Sequence, residues 1–168
     1  VVEYLLDLSG IGRKRMTLKW VSAAEGKRFA EYVDQFTNET KALGPFDPSR
    51  YALELAACER ALDSPRLRWL MGMEIQITEK ENVFHEKIDD VQYGRLLEKA
   101  SRSEYEKALI SEALNDGPLS VREIAFKTGL PVYSASSRLG ELEQHHQAEL
   151  REYQGTVPLF ANSASGAA

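Results

Sequence analysis

Hydrophobic residues recur every three or four positions along most of the chain and alternate with polar ones in only three short runs, which predicts a mainly α protein with few strands. Val1 to Leu8 reads as a short helix ended by Ser9-Gly10, and Met16-Thr17-Leu18-Lys19-Trp20-Val21 alternates as a half-buried strand does. Ser22-Ala23-Ala24-Glu25 has the spacing of a capping box, and the helix it opens carries Phe29, Tyr32, Val33 and Phe36 as an apolar stripe before Gly44-Pro45 stops it. A lone strand leaves both of its edges unpaired. The first 45 residues therefore read as an incomplete α/β piece. Its remaining strands are expected from residues outside this chain or from another subunit, with the C-terminal hairpin as a third source.

Asp47-Pro48 and Ser64-Pro65 each pair a cap with a first-turn proline, predicting two helices in succession. The first carries Tyr51, Leu55, Cys58 and Leu62 on one side, and the second Leu67, Leu70, Met71 and Ile75. Asn82 to Asp90 is polar and aperiodic, a connection to helices over about Val91–Ala100 and Ser103–Leu114.

The last third has the most specific pattern. Tyr105, Ala108, Leu109 and Ala113 line a helix, Asn115-Asp116-Gly117-Pro118 turns the chain, and Ser120-Val121-Arg122-Glu123 is a second capping box before buried Ile124 and Ala125. Gly129 closes that helix, and Leu130-Pro131 leads to a third with Val132, Ala135, Ser136, Leu139 and Leu142 inward. Ala148–Tyr153 and Val157–Phe160 then alternate around Gln154-Gly155-Thr156 as a β-hairpin. The segment resembles a winged-helix domain.

The predicted organisation is thus an incomplete piece over residues 1–45, a helical connector over 46–100, a winged-helix-like unit over 101–162 and a small-residue tail over 163–168, frayed at its end. Charge changes what the third unit is expected to do. It holds six basic and nine acidic residues, and the helix that would read DNA offers Tyr133, Ser134, Ser137 and one cation, Arg138, before turning acidic at Glu141 and Glu143. A protein contact fits that surface better than phosphate. The whole chain, with 21 basic and 26 acidic residues, exerts no general attraction on nucleic acid or an anionic membrane. It has neither a membrane-spanning apolar run nor a secretory signal, so a cytoplasmic protein is expected. Its start at a valine inside an apolar run points to a fragment.

Candidate chemistry is sparse. Cys58 is the only cysteine, which excludes a cluster held by several thiolates of this chain, and it lies on an apolar stripe where a small buried hydrophobe is expected. Adjacent His145 and His146 on a helix point about 100° apart and suit a solvated helix end better than one metal ion. His85 reads as a surface residue, and the carboxylates of Glu79, Glu81, Asp89 and Asp90 as solvated. Gly10-Ile11-Gly12 lacks the strand, third glycine and helix of a nucleotide loop, and no nucleophile has a base beside it. The residues expected to make partner contacts are Arg13, Lys14, Arg15, Trp20 and Trp69. Catalytic, cofactor and metal residues are expected to be absent from this chain.

From Leu18-Lys19-Trp20-Val21-Ser22-Ala23-Ala24-Glu25-Gly26-Lys27-Arg28-Phe29-Ala30 to Leu43-Gly44-Pro45, the sequence resembles the C-terminal end of the delta, or iron–sulfur, subunit of methyl-viologen-reducing hydrogenase. Related domains occur in proteins associated or fused with heterodisulfide reductase. The resemblance covers about the first 45 residues and implies a subunit that binds a [2Fe–2S] cluster through cysteines. Such a subunit passes electrons between a hydrogenase or dehydrogenase and a flavin-containing heterodisulfide reductase subunit. None of those cysteines is matched here, so the resemblance places the ligands upstream of Val1. The expectation is a non-catalytic C-terminal segment of an electron-transfer subunit, docked to oxidoreductase partners through its helical and winged-helix extension. The alternative is a winged-helix transcription regulator contacting DNA through Tyr133, Ser134, Ser137 and Arg138.

Overall fold

The computed structural model describes residues 1–81 and 83–163. Eight α-helices precede one hairpin among these residues: α1 (Val2–Leu8), α2 (Gly26–Ala42), α3 (Ala52–Leu62), α4 (Pro65–Gly72), α5 (Glu74–Thr78), α6 (Asp90–Ala113), α7 (Val121–Thr128), α8 (Val132–Gln144), β1 (Ala148–Gln154) and β2 (Val157–Asn162). The mainly α class with few strands is what the periodicity predicts.

The spine is α6. Asp89 starts it with a capping box, its carboxylate accepting from the Gln92 amide at 2.7 Å. Two helices were expected here, broken near residue 101, yet α6 is continuous for 24 residues. Its serines are accommodated because Ser101 and Ser103 are buried, and the Ser101 hydroxyl donates back to the Leu97 carbonyl at 2.7 Å. The expected boundary between residues 100 and 101 therefore falls inside a helix.

Three apolar clusters are strung along this spine. Leu67 and Leu70 of α4 meet Ala100. Leu5 of α1 and Ala57, Cys58 and Ala61 of α3 meet Tyr105, Ala108 and Leu109. Alanines facing alanine on α3 and α6 let the two backbones approach closely. Ile110 and Leu114 then join Ile124, Leu139, Leu142 and Ala148 in the C-terminal cluster, and Leu130 packs against both of the last two.

The C-terminal elements follow their local signals. Ser120 accepts from the Glu123 amide while Glu123 accepts from the Ser120 amide, so both halves of the capping box form. Gly129 ends α7 at φ 70°, the left-handed conformation that favours glycine. β1 and β2 pair antiparallel with an irregularity between Leu150 and Glu152, and Leu119 bridges Phe160. Asn162 fastens the hairpin to α6 by donating to Ser111 O at 2.9 Å and Asn115 Oδ1 at 2.8 Å. Val132 and Ser136, expected inward, are exposed, leaving Ala135, Leu139 and Leu142 as the buried face of α8.

The N-terminal expectations fare differently. Met16–Val21 forms no strand, and the C-terminal hairpin pairs with none of it. Alternation supplies only one side of a ladder, and no second strand lies alongside among the described residues. The stripe of α2 reaches no core: no residue of this helix is buried, Phe29 and Val33 are exposed, and Tyr32 and Phe36 are half-buried. Ser22 and Glu25 form a reciprocal turn, with the Ser22 amide donating to Glu25 Oε2 at 2.9 Å, but the helix begins one turn later, at Gly26. Met71 and Ile75 are exposed, and Ile75 belongs to the separate helix α5. Within the polar connection, Asn82 lies outside the described residues, as do residues 164–168 of the tail expected to fray over 163–168; its first residue, Ser163, is instead buried, its amide donating to Gln147 O at 3.0 Å.

Candidate docking surface

The residues expected to make contacts do not all remain available for them. Arg13, Lys14 and Arg15 form a single 3-10 turn after Gly12, whose φ of 86° sets the direction of the chain. Arg13 is committed to Asp7 through its backbone amide, at 2.8 Å, and its guanidinium, which together hold the Asp7 carboxyl below its usual range. Arg15 donates to the carbonyls of Leu43 and Gly44, both at 3.3 Å, and lies 5.2 Å over the Phe46 ring. Those carbonyls end α2, so Arg15 does the work of a C-terminal cap from 28 residues away. Phe46 in turn stacks on Tyr51 at 5.6 Å. Lys14 is exposed and makes no ion pair among the described residues.

Beyond this clamp the chain runs out as an arm. Trp20 is 86% exposed and Leu18 68%, and α2 presents Phe29 and Val33 beside them in sequence. Two cations lie over the Tyr32 ring, Lys19 at 5.6 Å and Arg28 at 5.5 Å, and its hydroxyl accepts from Arg28. Trp69 is exposed too, at 58%, but it projects from α4 on the helical body rather than from the arm. The sequence marks Trp20, the cations and the apolar stripe of α2, but not whether that stripe is covered. The missing signal was the absence of buried counterparts elsewhere in the chain to receive it.

On the C-terminal unit, Tyr133 is 84% exposed, Ser137 is exposed and Ser134 half-buried. Arg138 is engaged internally, at 2.8 Å from Glu106 and 2.5 Å from Glu141. Lys127 is engaged likewise: its ammonium donates to the Ala113 carbonyl and to Asp116. Phe126, at 92%, is the most exposed large hydrophobic described, a residue that reading for cations and catalytic groups passed over.

The donor set for a metal or cluster is poor. No group of three or more His, Cys, Asp or Glu side chains gathers among the described residues. The Cys58 thiol is buried against the Leu5 carbonyl at 3.6 Å, and burial pushes its pKa up, keeping it protonated. A [2Fe–2S] cluster does not fit such residues. His145 and His146 instead end α8, with amides of His146 and Gln147 donating to Glu143 and Leu142 in a Schellman arrangement that holds His146 at φ 56°. His85 is exposed and meets Glu81 at 3.1 Å. No helix of the described residues is long and apolar enough to cross a membrane.

Residues 1–44 match the family model of the methyl-viologen-reducing hydrogenase delta subunit. The match takes in α1, the 3-10 turn, the arm and all of α2, and ends at the two carbonyls held by Arg15. No solved structure matches the chain.

Proposed function

We propose that this chain is a non-catalytic segment of an electron-transfer iron–sulfur subunit, docked to oxidoreductase subunits of the hydrogenase and heterodisulfide reductase type. The observation that carries the reading is the family match over residues 1–44, the stretch that also exposes Trp20 and the face of α2. A surface of that kind is what a subunit of a larger assembly presents. Lys14, Trp20 and Trp69 are the residues assigned to partner contacts, since Arg13 and Arg15 are committed within the fold. Any [2Fe–2S] cluster of such a subunit would be held by residues outside this chain, because the single thiol here is buried and protonated.

In this reading the C-terminal unit is a winged helix used for protein contact. Arg138, the only cation on α8, is neutralised by Glu106 and Glu141, while Phe126 and Tyr133 offer apolar contact area. Duplex DNA would meet a helix without a free positive charge.

The experiment is anaerobic purification of the native protein from its source cells, recording intact mass, iron and co-purifying chains. Iron together with flavin-containing or hydrogenase-type subunits is the expected result. An iron-free preparation that travels with none of them and shifts duplex DNA in a salt-dependent manner would overturn the reading.

A further inference from the structure

Helix α2 carries a repeat sharper than the stripe that first marks it. Gly26, Phe29, Val33, Phe36, Thr40 and Leu43 follow one another at steps of three and four residues in strict alternation, the spacing of a coiled-coil seam. Every lysine, arginine, aspartate and glutamate of the helix lies off this seam. Nothing on α2 is buried, and of the seam Gly26, Phe29, Val33 and Leu43 are exposed while Phe36 and Thr40, beside Arg15 and Phe46, are half-buried. A soluble chain seldom leaves such a row exposed.

We propose that two copies of the chain pair through antiparallel α2 helices, in the register that sets Val33 of one copy against Phe36 of the other. This goes beyond the docking function, and it assigns the exposed face of α2 to a second copy of the chain, leaving Lys14, Trp20 and Trp69 to other partners.

Size complementarity supports the register. It layers Gly26 on Leu43 and Phe29 on Thr40 of the second copy, a small residue against a large one each time, with Val33 and Phe36 at the centre. Beside Thr40 a cavity of about 580 Å³, bounded by Phe36, Gly44 and Phe46, is open to receive the second copy's Phe29. Flanking the seam, Ala30 faces Thr37, so the backbones can approach closely.

Charge selects the same register. Glu39 of one copy is placed against Tyr32 of the other, where Lys19 and Arg28 already lie over the ring. Sliding one heptad step in one direction sets Glu25 against Glu39, and in the other direction Glu39 against Glu39, both like-charge contacts. The antiparallel sense also answers the helix ends. The first turn of α2 holds Lys27 and Arg28 and no acidic residue, placing positive charge at the positive pole of the helix dipole. A parallel pair would bring the two first turns, each with Lys27 and Arg28, side by side, whereas the antiparallel pair sets them at opposite ends of the seam.

The seam is short, so a dissociation constant in the micromolar range is expected. The test is sedimentation equilibrium of the purified chain from low to high micromolar concentration, which requires neither partner subunits nor iron. Failure here is thus separable from failure of the docking function. The chain should dimerise reversibly. Val33→Asp should weaken the dimer by about a hundredfold, by placing an unpaired charge in the seam. Glu39→Lys should weaken it by about tenfold, and adding Lys19→Glu to that variant should restore affinity to about the original value. All three positions are exposed and outside the apolar clusters, so helicity and thermal midpoint at low concentration serve as folding controls and should not change. A chain that stays monomeric, or a dimer indifferent to Val33→Asp, overturns the proposal. So does a dimer that Val33→Asp dissolves but Glu39→Lys leaves untouched, because the register is then wrong.

Discussion

If α6 is the spine of one cooperative body, damage in the C-terminal cluster must be felt in the neighbouring cluster that α1 and α3 form on the same helix. Leu139→Ala provides the perturbation. Leu139 is 2% exposed and packs on α8 among Ile110, Ile124, Leu142 and Ala148, where alanine leaves a cavity that these neighbours can only partly fill. Such a truncation costs about 3–5 kcal/mol. For a chain of this length that lowers the thermal midpoint by roughly 6–20 °C. The informative quantity is where the loss appears. Ile110 belongs to the C-terminal cluster, while Tyr105, Ala108 and Leu109, within two turns on the same helix, belong to the cluster with α1 and α3. Hydrogen exchange in urea, read separately on peptides from α3 and α8, should show both losing protection at the same lowered denaturant concentration. If α8 opens at low urea while α3 keeps its original midpoint, α6 is not transmitting stability and the two clusters are independent units.

Three other outcomes follow from local geometry. His146→Gly should stabilise the protein by about 1 kcal/mol, because His146 occupies a left-handed position that glycine adopts without a Cβ clash; an unchanged urea midpoint would contradict this. Asp7 should titrate below an ordinary aspartate by NMR and return toward the usual range in Arg13→Ala. Since its folded pKa is depressed, the stability it contributes is present above the unfolded value and is lost as pH falls below about 4. Arg15→Ala should speed amide exchange in the last turn of α2 while leaving α3 and α6 unchanged, and equal acceleration in all three would show that the cap is not local.

What could be read from the sequence was whatever local chemistry decides. The capping boxes at Asp89 and Ser120, the caps at Asp47 and Ser64, the left-handed Gly129 and the turn at Gly155 all act within a few residues, and each sits where its residues place it. Of the capping boxes one was misjudged: Ser22 and Glu25 satisfy each other in a turn rather than opening the helix. Burial was harder to read, because it depends on what arrives from elsewhere. Phe29 and Val33 have the periodicity of a core face, and Met16 to Val21 that of a strand, but periodicity does not reveal whether a counterpart exists. For the same reason Ser101 to Ser103 read as an interruption: nothing local indicates that neighbouring elements will bury the serines inside a helix. Among the contact residues, cationic type was visible, but its internal use was not. Arg15 became a cap for carbonyls 28 positions away, and Arg138 found Glu106 across a helix interface.

The reach of Arg15 to Leu43 and Gly44 also bears on how the chain can be re-engineered. Residues 16–42 leave the body and return to the place they left, since the two ends of the excursion are within hydrogen-bond distance of one guanidinium. Closing a loop costs little more entropy as it lengthens, so neither the length of this excursion nor its content is dictated by the body beneath it. The arm is in that sense a replaceable cassette. It can be shortened, exchanged or given another binding helix while α1 keeps its seat against α3 and α6.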